Sequence, residues 1–205
     1  GKLGDDTYEW SVGDGNDIIR EEGGVDQIKL NGVTASEIAF EHYANELRIH
    51  AGNEYIRVMD QYYADTQNNN PSYLTYQVEN LLLDDGTIID LLNNMTFTAI
   101  NDGQSLTGLN YGNNVLIGLS GNNNLSGKGG DDRLIGGVGN DILNGGAGND
   151  VYEWSVGDGN DTISETGGAD QLVLHGVNAD DIRFEQSSYG HFKVHINNSE
   201  TITIS

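Results

Sequence analysis

A nine-residue pattern runs from Leu109 to Leu172, interrupted by a single two-residue insertion, and it limits the possible folds more than any other feature of the chain. The clearest units are Gly127–Ile135, Gly136–Asn144 and Gly145–Glu153. With positions numbered one to nine, position four is Gly112, Gly121, Gly130, Gly139 and Gly148. Position six is Asn114, Asn123, Asp132, Asp141 and Asp150, and position eight is Leu116, Leu125, Leu134, Leu143 and Tyr152. After the insertion the phase resumes with Gly159, Asp161 and Ile163, then Gly168, Asp170 and Leu172. A disordered linker has no reason to place an apolar residue at every ninth position.

The unit has a direct physical reading. Glycines at positions one, two and four permit a turn with positive φ and close backbone approach. Such a turn aims several carbonyl oxygens at one point, and aspartate at position six adds a hard anionic oxygen. Positions seven to nine suit a short strand, with position eight facing inward. Stacked units therefore predict an all-β chain: a parallel β-roll, or solenoid, with one thin row of leucine on each side. Adjacent coils would lie about 4.8 Å apart. Two bare carboxylates at about 5 Å repel by roughly 0.8 kcal/mol in water and about 3 kcal/mol at an effective dielectric near 20. Whole domains are stable by only about 5–15 kcal/mol, so an aspartate ladder demands cations between its turns. An all-oxygen donor set rich in carbonyls suits Ca²⁺ better than Zn²⁺ or Mg²⁺.

Composition narrows the function classes. With 32 acidic and nine basic residues the formal charge is −23, which disfavours nucleic acid as a partner. One proline and no glycine triplet exclude collagen, and the absence of cysteine excludes a disulfide scaffold. No apolar run approaches the roughly 18 residues of a membrane span, so no membrane insertion is expected. No signal peptide opens the chain and residue 1 is glycine, so a fragment or processed form is expected. An EF-hand begun at Asp158 would place Ala169 where a bidentate glutamate is required, which excludes that motif.

A longer repeat is superimposed. Gly1–Phe40 matches Gly145–Phe184 at 25 of 40 positions, an offset of 144, and Tyr8–Asp17 reappears unchanged as Tyr152–Asp161. The chain thus reads as a window on a tandem array. The expected organisation is the last turns of one roll (1–28), a β-rich cap (29–98), a linker (99–108), a roll (109–172) and the start of a second cap (173–205). Within the first cap, Leu47/Ile49 and Ile56/Val58 predict a hairpin across Ala51-Gly52-Asn53, and Val78–Leu83 and Ile88–Leu92 predict strands joined at Asp85-Gly86. A solenoid end has unpaired edges, so closing the roll is the expected role of this segment. Residues 60–73, with Tyr62, Tyr63 and Pro71, read as a loop.

The units resemble the glycine- and aspartate-rich nonapeptides of the RTX (repeats-in-toxin) family, and the cap resembles the β-rich segment that follows the roll in haemolysin- and adenylate-cyclase-toxin-like members. The resemblance implies one Ca²⁺ between turns two units apart. One turn gives carbonyls from positions two and four and its position-six side chain; the other gives carbonyls from positions one and three and its own position-six side chain. Carried onto this sequence, the best site pairs Asp132 with Asp150 and uses the carbonyls of Lys128, Gly130, Gly145 and Ala147. Asp141 pairs with Asp161, Asp150 with Asp170, and Asp6 with Asp26. The turn residues Gly136, Gly137, Val138, Gly139, Gly146 and Gly148, and Asp17, are assigned to metal binding on the same basis. Asn114 opposite Asp132, and Asn123 opposite Asp141, depart from the pattern and imply weaker or empty sites. About four to six calcium ions are expected. Six filled sites would cancel about twelve charges.

Catalytic motifs are missing. There is no HExxH sequence, and His191 and His195 read as surface residues on a strand without a nearby glutamate. Gly118-Leu-Ser-Gly121 falls inside a repeat, and Asp84-Asp85 reads as a turn. The expectation is a non-enzymatic calcium module of a large secreted bacterial protein. It would fold on calcium outside the cell, and the resemblance implies export by type I secretion machinery. Two alternatives stay open: an adhesin module binding a glycan or protein ligand through Tyr62 or Tyr63, and a non-catalytic appendage of a secreted enzyme. The irregular position-three row, Tyr111, Ser120, Gly129, Val138, Ala147 and Asp158, lacks the threonines of ice-binding rolls.

Overall fold

The computed structural model describes residues 3–43, 46–59, 78–92, 95–99, 101–109, 112–186, 190–197 and 199–205. The whole of the expected 60–73 loop, with Tyr62, Tyr63 and Pro71, lies outside the described residues, as does Tyr111. The chain divides into two units, Gly1–Asn94 and Met95–Ser205. The described residues hold strands and two single-turn 3₁₀ helices, Ala35–Glu37 and Ala179–Asp181, which are themselves 144 residues apart.

In the first unit the strands are β1 (Thr7–Ser11), β2 (Asp17–Arg20), β3 (Gln27–Asn31), β4 (Ile38–Tyr43), β5 (Glu46–Ala51), β6 (Glu54–Met59), β7 (Asn80–Leu83) and β8 (Ile88–Asp90). They form two sheets, β1-β3-β7-β8 and β2-β6-β5-β4. β1, β3 and β7 stack in parallel, so Tyr8, Ile28 and Leu81 fall in one column. The expected hairpin is β5–β6, turning at Gly52, which holds φ +64°. The Asp85-Gly86 turn closes with the Thr87 N–H donating to Asp85 Oδ1 at 2.8 Å. The cap carries a half-buried ion network in which Glu46 accepts from Arg48 Nε and Arg57 Nη2, each at 2.6 Å.

The second unit is the roll. Its strands are β9 (Thr96–Thr98), β10 (Ser105–Thr107), β11 (Val115–Ile117), β12 (Asn124–Gly129), β13 (Arg133–Ile135), β14 (Ile142–Ala147), β15 (Val151–Ser155), β16 (Thr162–Ile163), β17 (Gln171–His175), β18 (Ile182–Gln186), β19 (Phe192–Ile196) and β20 (Glu200–Ile204). Consecutive units alternate between two sheets, so each coil takes two nonapeptides; strands pair 18 residues apart in the regular part, 19 at its start and 20 across the insertion. Leu106, Leu125, Leu143 and Ile163 stack on one side. Phe97, Leu116, Leu134, Tyr152 and Leu172 stack on the other. All but Leu172 are at most 4% exposed, forming the thin double row that the nine-residue period predicts.

Residues 99–108, expected as a linker, instead contain β10, and β9 from the expected cap is also a rung of this roll. Their sequences lack the Gly-Asn-Asp turn, so only the backbone pairing reveals them. The two-residue insertion swells one turn without breaking the ladder: the Ser155 N–H donates to Asp158 Oδ2 at 2.7 Å, and the Gly157 N–H donates to Glu200 Oε1 of β20 at 3.0 Å. The first unit repeats this with Ser11, Asp14, Gly13 and Glu54. β20 pairs in parallel with β16 and continues into the β19–β18 hairpin, the same order as β2-β6-β5-β4. Phe184 on β18 is 69% exposed, whereas its counterpart Phe40 is 9% exposed.

Candidate metal centres

Two ladders of side chains run up the turns in opposite senses. At position five the side-chain oxygen of one turn accepts the backbone N–H of the turn two units later: Asn113 from Asp131, Asn122 from Asn140, Asp131 from Asn149, Asn140 from Asn160 and Asn149 from Ala169, all at 2.7–2.9 Å. At position six the direction reverses. Asp132 Oδ1 accepts the Asn114 N–H, Asp141 Oδ1 that of Asn123, Asp150 Oδ1 that of Asp132, Asp161 Oδ1 that of Asp141, and Asp170 Oδ1 that of Asp150, at 2.6–3.0 Å. In the first unit Asp26 Oδ1 accepts the Asp6 N–H at 2.7 Å. The outer ladder is exposed and self-sufficient. In the inner one Asp26, Asp132, Asp141 and Asp150 use only one carboxylate oxygen.

The second oxygens define the site. Oδ2 of Asp26, Asp132, Asp141 and Asp150 is buried and has no hydrogen-bond partner among the described residues. These four residues are at most 1% exposed. Burial without a counter-charge pushes Asp132 up to about 7, Asp161 up to about 7 and Asp150 up to about 6, and it raises Asp141 and Asp26 as well. A row of desolvated, half-satisfied carboxylates costs free energy unless a cation or a proton neutralises it.

Local sequence explains how these oxygens are accommodated. A Cβ built on the position-one glycines Gly127, Gly136 or Gly145 would lie 2.1–2.3 Å from Oδ2 of the same unit's aspartate. Glycine is needed at position one to leave room for the carboxylate. At position two the need is conformational, and even the non-glycine residues there, Leu119 and Lys128, hold φ +69° and +82°. The Lys128 and Gly130 carbonyls press on the Cα atoms of Gly146 and Gly148 two units later, where built Cβ atoms would lie 2.2 and 2.1 Å from them. The Gly145 carbonyl and Asp132 Oδ2 both flank the Gly127 Cα, and the Ala147 carbonyl accepts the Gly130 N–H at 2.9 Å. The next turn behaves alike. A Cβ on Gly137 or Gly139 would lie 2.2 Å from the Leu119 or Gly121 carbonyl, and Val138 joins through its backbone while its side chain is 59% exposed. The structure therefore brings the Asp132/Asp150 set of residues and carbonyls into facing rows.

Other expected residues behave differently. Asn114 Oδ1 accepts the Leu109 N–H and Asn123 Nδ2 donates to the Gln104 carbonyl, so both asparagines are partly used in closing the roll. Asp170 is exposed. Asp17 is exposed at the head of β2 and joins neither carboxylate cluster described below, whereas its counterpart Asp161 is 4% exposed against Asp141. The residue equivalent to Asp141 in the first copy would precede residue 1. His195, expected to lack a glutamate neighbour, meets Glu185 at 2.9 Å across the β18–β19 hairpin, a contact invisible in linear sequence.

Sequence reasoning missed Glu21, Glu79, Glu165 and the hydroxyls of Tyr8 and Tyr152. Asp6, Glu21 and Asp26 each offer a carboxylate oxygen within 4.8 Å of the others, as do Asp150, Glu165 and Asp170. The Tyr152 hydroxyl accepts the Gly145 N–H at 2.7 Å and donates to Glu165 Oε2 at 3.0 Å, and Tyr8 donates likewise to Glu21. Burial and the adjoining glutamate raise both phenols above their usual range. Glu79, just before β7, accepts the Asp26 N–H at 2.5 Å and so continues the position-six ladder from the cap. The available signal was the 144-residue offset, which maps Glu21 onto Glu165 and Tyr8 onto Tyr152.

The RTX calcium-binding nonapeptide repeat, in four copies, matches residues 110–139 and 117–152. No curated protein matches the chain. Among solved structures, the extracellular lipase LipA from Serratia marcescens aligns at 14% identity with a TM-score of 0.36, over the whole of this chain and 37% of the lipase. Geometry and repeat match agree: residues 110–152 match the RTX calcium-binding nonapeptide repeat, and residues 112–152 stack as a parallel β-roll.

Proposed function

We propose that the chain is a calcium-dependent folding module of a larger secreted protein, non-catalytic itself, whose roll closes on Ca²⁺ bound between turns two units apart. The observation that carries this reading is the row of buried Oδ2 atoms on Asp26, Asp132, Asp141 and Asp150 without partners. Asp132 and Asp150, with the Lys128, Gly130, Gly145 and Ala147 carbonyls, would hold one ion; Asp141 with Asp161, and Asp6 with Asp26, would hold others. The ion supplies positive charge and takes up the unused lone pairs. The chain supplies spacing, through position-one glycines, and rigidity, through the position-five ladder.

Calcium sites of extracellular modules bind in the range of about 10⁻⁴–10⁻³ M. Such a module stays open where calcium is scarce and closes where it is plentiful, which suits export by type I machinery followed by folding outside the cell. Far-UV circular dichroism during Ca²⁺ titration of the chelator-treated chain, with Mg²⁺ as control, tests this. A cooperative gain of β signal with Ca²⁺ alone is expected. An equally folded chain in excess chelator at neutral pH would overturn the proposal.

A further inference from the structure

The last unit of each roll carries an acidic residue at position one, where Leu109 and Val156 are the other departures from glycine in the second copy. Glutamate stands there, Glu21 in the first copy and Glu165 in the second, where Gly127, Gly136 and Gly145 stand elsewhere. In the regular arrangement the position-one residue faces the site with a backbone carbonyl and leaves its Cβ position to the neighbouring aspartate. Glutamate at that position sends in a carboxylate instead. The result is a triad of one oxygen each from Asp6, Glu21 and Asp26, repeated by Asp150, Glu165 and Asp170, each set within 4.8 Å.

The glutamates are anchored. Glu165 Oε1 accepts the Gly146 and Thr166 N–H groups, each at 3.2 Å, and Oε2 accepts the Tyr152 hydroxyl. Glu21 Oε1 accepts the Glu22 N–H at 2.8 Å and the Gly23 N–H at 3.4 Å, and Tyr8 donates to Oε2. An independent observation marks each triad as a ligand site. Asp26 and Asp150 are 0% exposed, and Oδ2 of each has no hydrogen-bond partner among the described residues. Three anions gathered around a buried, unused oxygen call for a cation of high charge density and oxygen preference.

We infer that the site at the end of each roll, Asp6 with Asp26 and Asp150 with Asp170, is completed by a third carboxylate, Glu21 or Glu165, and that this Asp–Glu–Asp Ca²⁺ site binds more tightly than the two-carboxylate inter-turn sites and fills first. This rests on the calcium-binding reading above. Affinity in oxygen-ligand calcium sites rises with the number of charged ligands, and here a carboxylate replaces a neutral carbonyl. Filling first at the roll's end would fix the turn against which the cap strands pack.

Calorimetric Ca²⁺ titration of the full chain tests the assignment. The wild type should show a tight class of two equivalents, one per triad, ahead of the remaining sites. E21Q/E165Q keeps side-chain volume and the tyrosine contacts but removes two charges. It should weaken that class by about tenfold or more and leave the weaker sites in place, whereas D132N/D141N should spare the tight class. An E21Q/E165Q isotherm that superimposes on the wild type overturns the triads while leaving the inter-turn sites standing. No calcium binding by the wild type overturns both. Should E21Q/E165Q not fold, Tb³⁺ luminescence excited through tyrosine decides. Emission from the first two equivalents should fall by more than half in Y8F/Y152F and persist in Y55F; unchanged emission in Y8F/Y152F overturns the proposal.

Discussion

Protons should substitute for calcium. In the metal-free fold, burial raises Asp132 and Asp161 to about 7 and Asp150 to about 6. In the unfolded chain these groups return to about 3.9. Between those limits the folded state binds more protons than the unfolded one, so stability falls as pH rises. The contribution is fully present below about pH 4 and is lost as pH passes through 6 to 7. Each extra proton bound changes stability by about 1.4 kcal/mol per pH unit. Three such groups across this window give several kcal/mol, comparable with the whole stability of a domain, about 5–15 kcal/mol. Below about pH 4 an opposite effect enters. Glu46, held low by Arg57, and Glu153, held low by Arg133, lose their ion pairs on protonation.

The chelated chain should therefore be most stable near pH 5 and open by pH 8, and calcium should restore the fold at pH 8. Urea midpoints followed by circular dichroism in chelator measure this. General relief of the −23 charge would act in the same direction, and D132N/D150N/D161N separates the two. That variant carries permanently neutral amides at the same volume. It should be more stable than the wild type in chelator at pH 8, depend less on pH, and gain less from calcium. A wild-type midpoint that is flat or rising between pH 5 and pH 8 in chelator would refute the reasoning.

Two further outcomes follow from the turn geometry. In G145A the new Cβ would lie 2.1 Å from Asp150 Oδ2 and 2.5 Å from the Tyr152 hydroxyl, so the carboxylate must move by about 1 Å, more than Ca–O distances of about 2.3–2.6 Å tolerate. Its calcium midpoint should rise by about tenfold in titration, whereas G157A, at φ +102° with nothing within 4 Å, strains only the backbone and should raise that midpoint far less. D161N should lose a calcium equivalent by calorimetry while D17N, whose carboxylate is exposed, should lose none.

What could be read from sequence was what repeats. The nine-residue period specified the parallel pairing and the Leu116/Leu134 and Leu125/Leu143 columns, because position eight has no other way to face a core. It also brought Asp132 and Asp150 into one column. Contacts made outside the period were not legible. β10 has none of the turn chemistry and is recognised only by its pairing with β12. Glu165 sits where the pattern calls for glycine, and its partner Tyr152 reads as a core residue at position eight. Glu79 reaches Asp26 from 53 residues away, a closure no local spacing encodes. Asp17 shows the converse limit: it fits the repeat in sequence, yet it is exposed at the head of β2 and joins neither three-carboxylate cluster among the described residues.

The central claim is that the unpartnered Oδ2 atoms hold calcium. A crystal structure of the chain grown with Ca²⁺ tests it most directly, through anomalous scattering from the bound ions. The account predicts an ion about 2.3–2.6 Å from Asp132 Oδ2, with the Gly145 carbonyl and Asp150 in its coordination shell. A calcium-saturated crystal in which these buried carboxylates bind only water, or stay paired with backbone N–H groups alone, would contradict it.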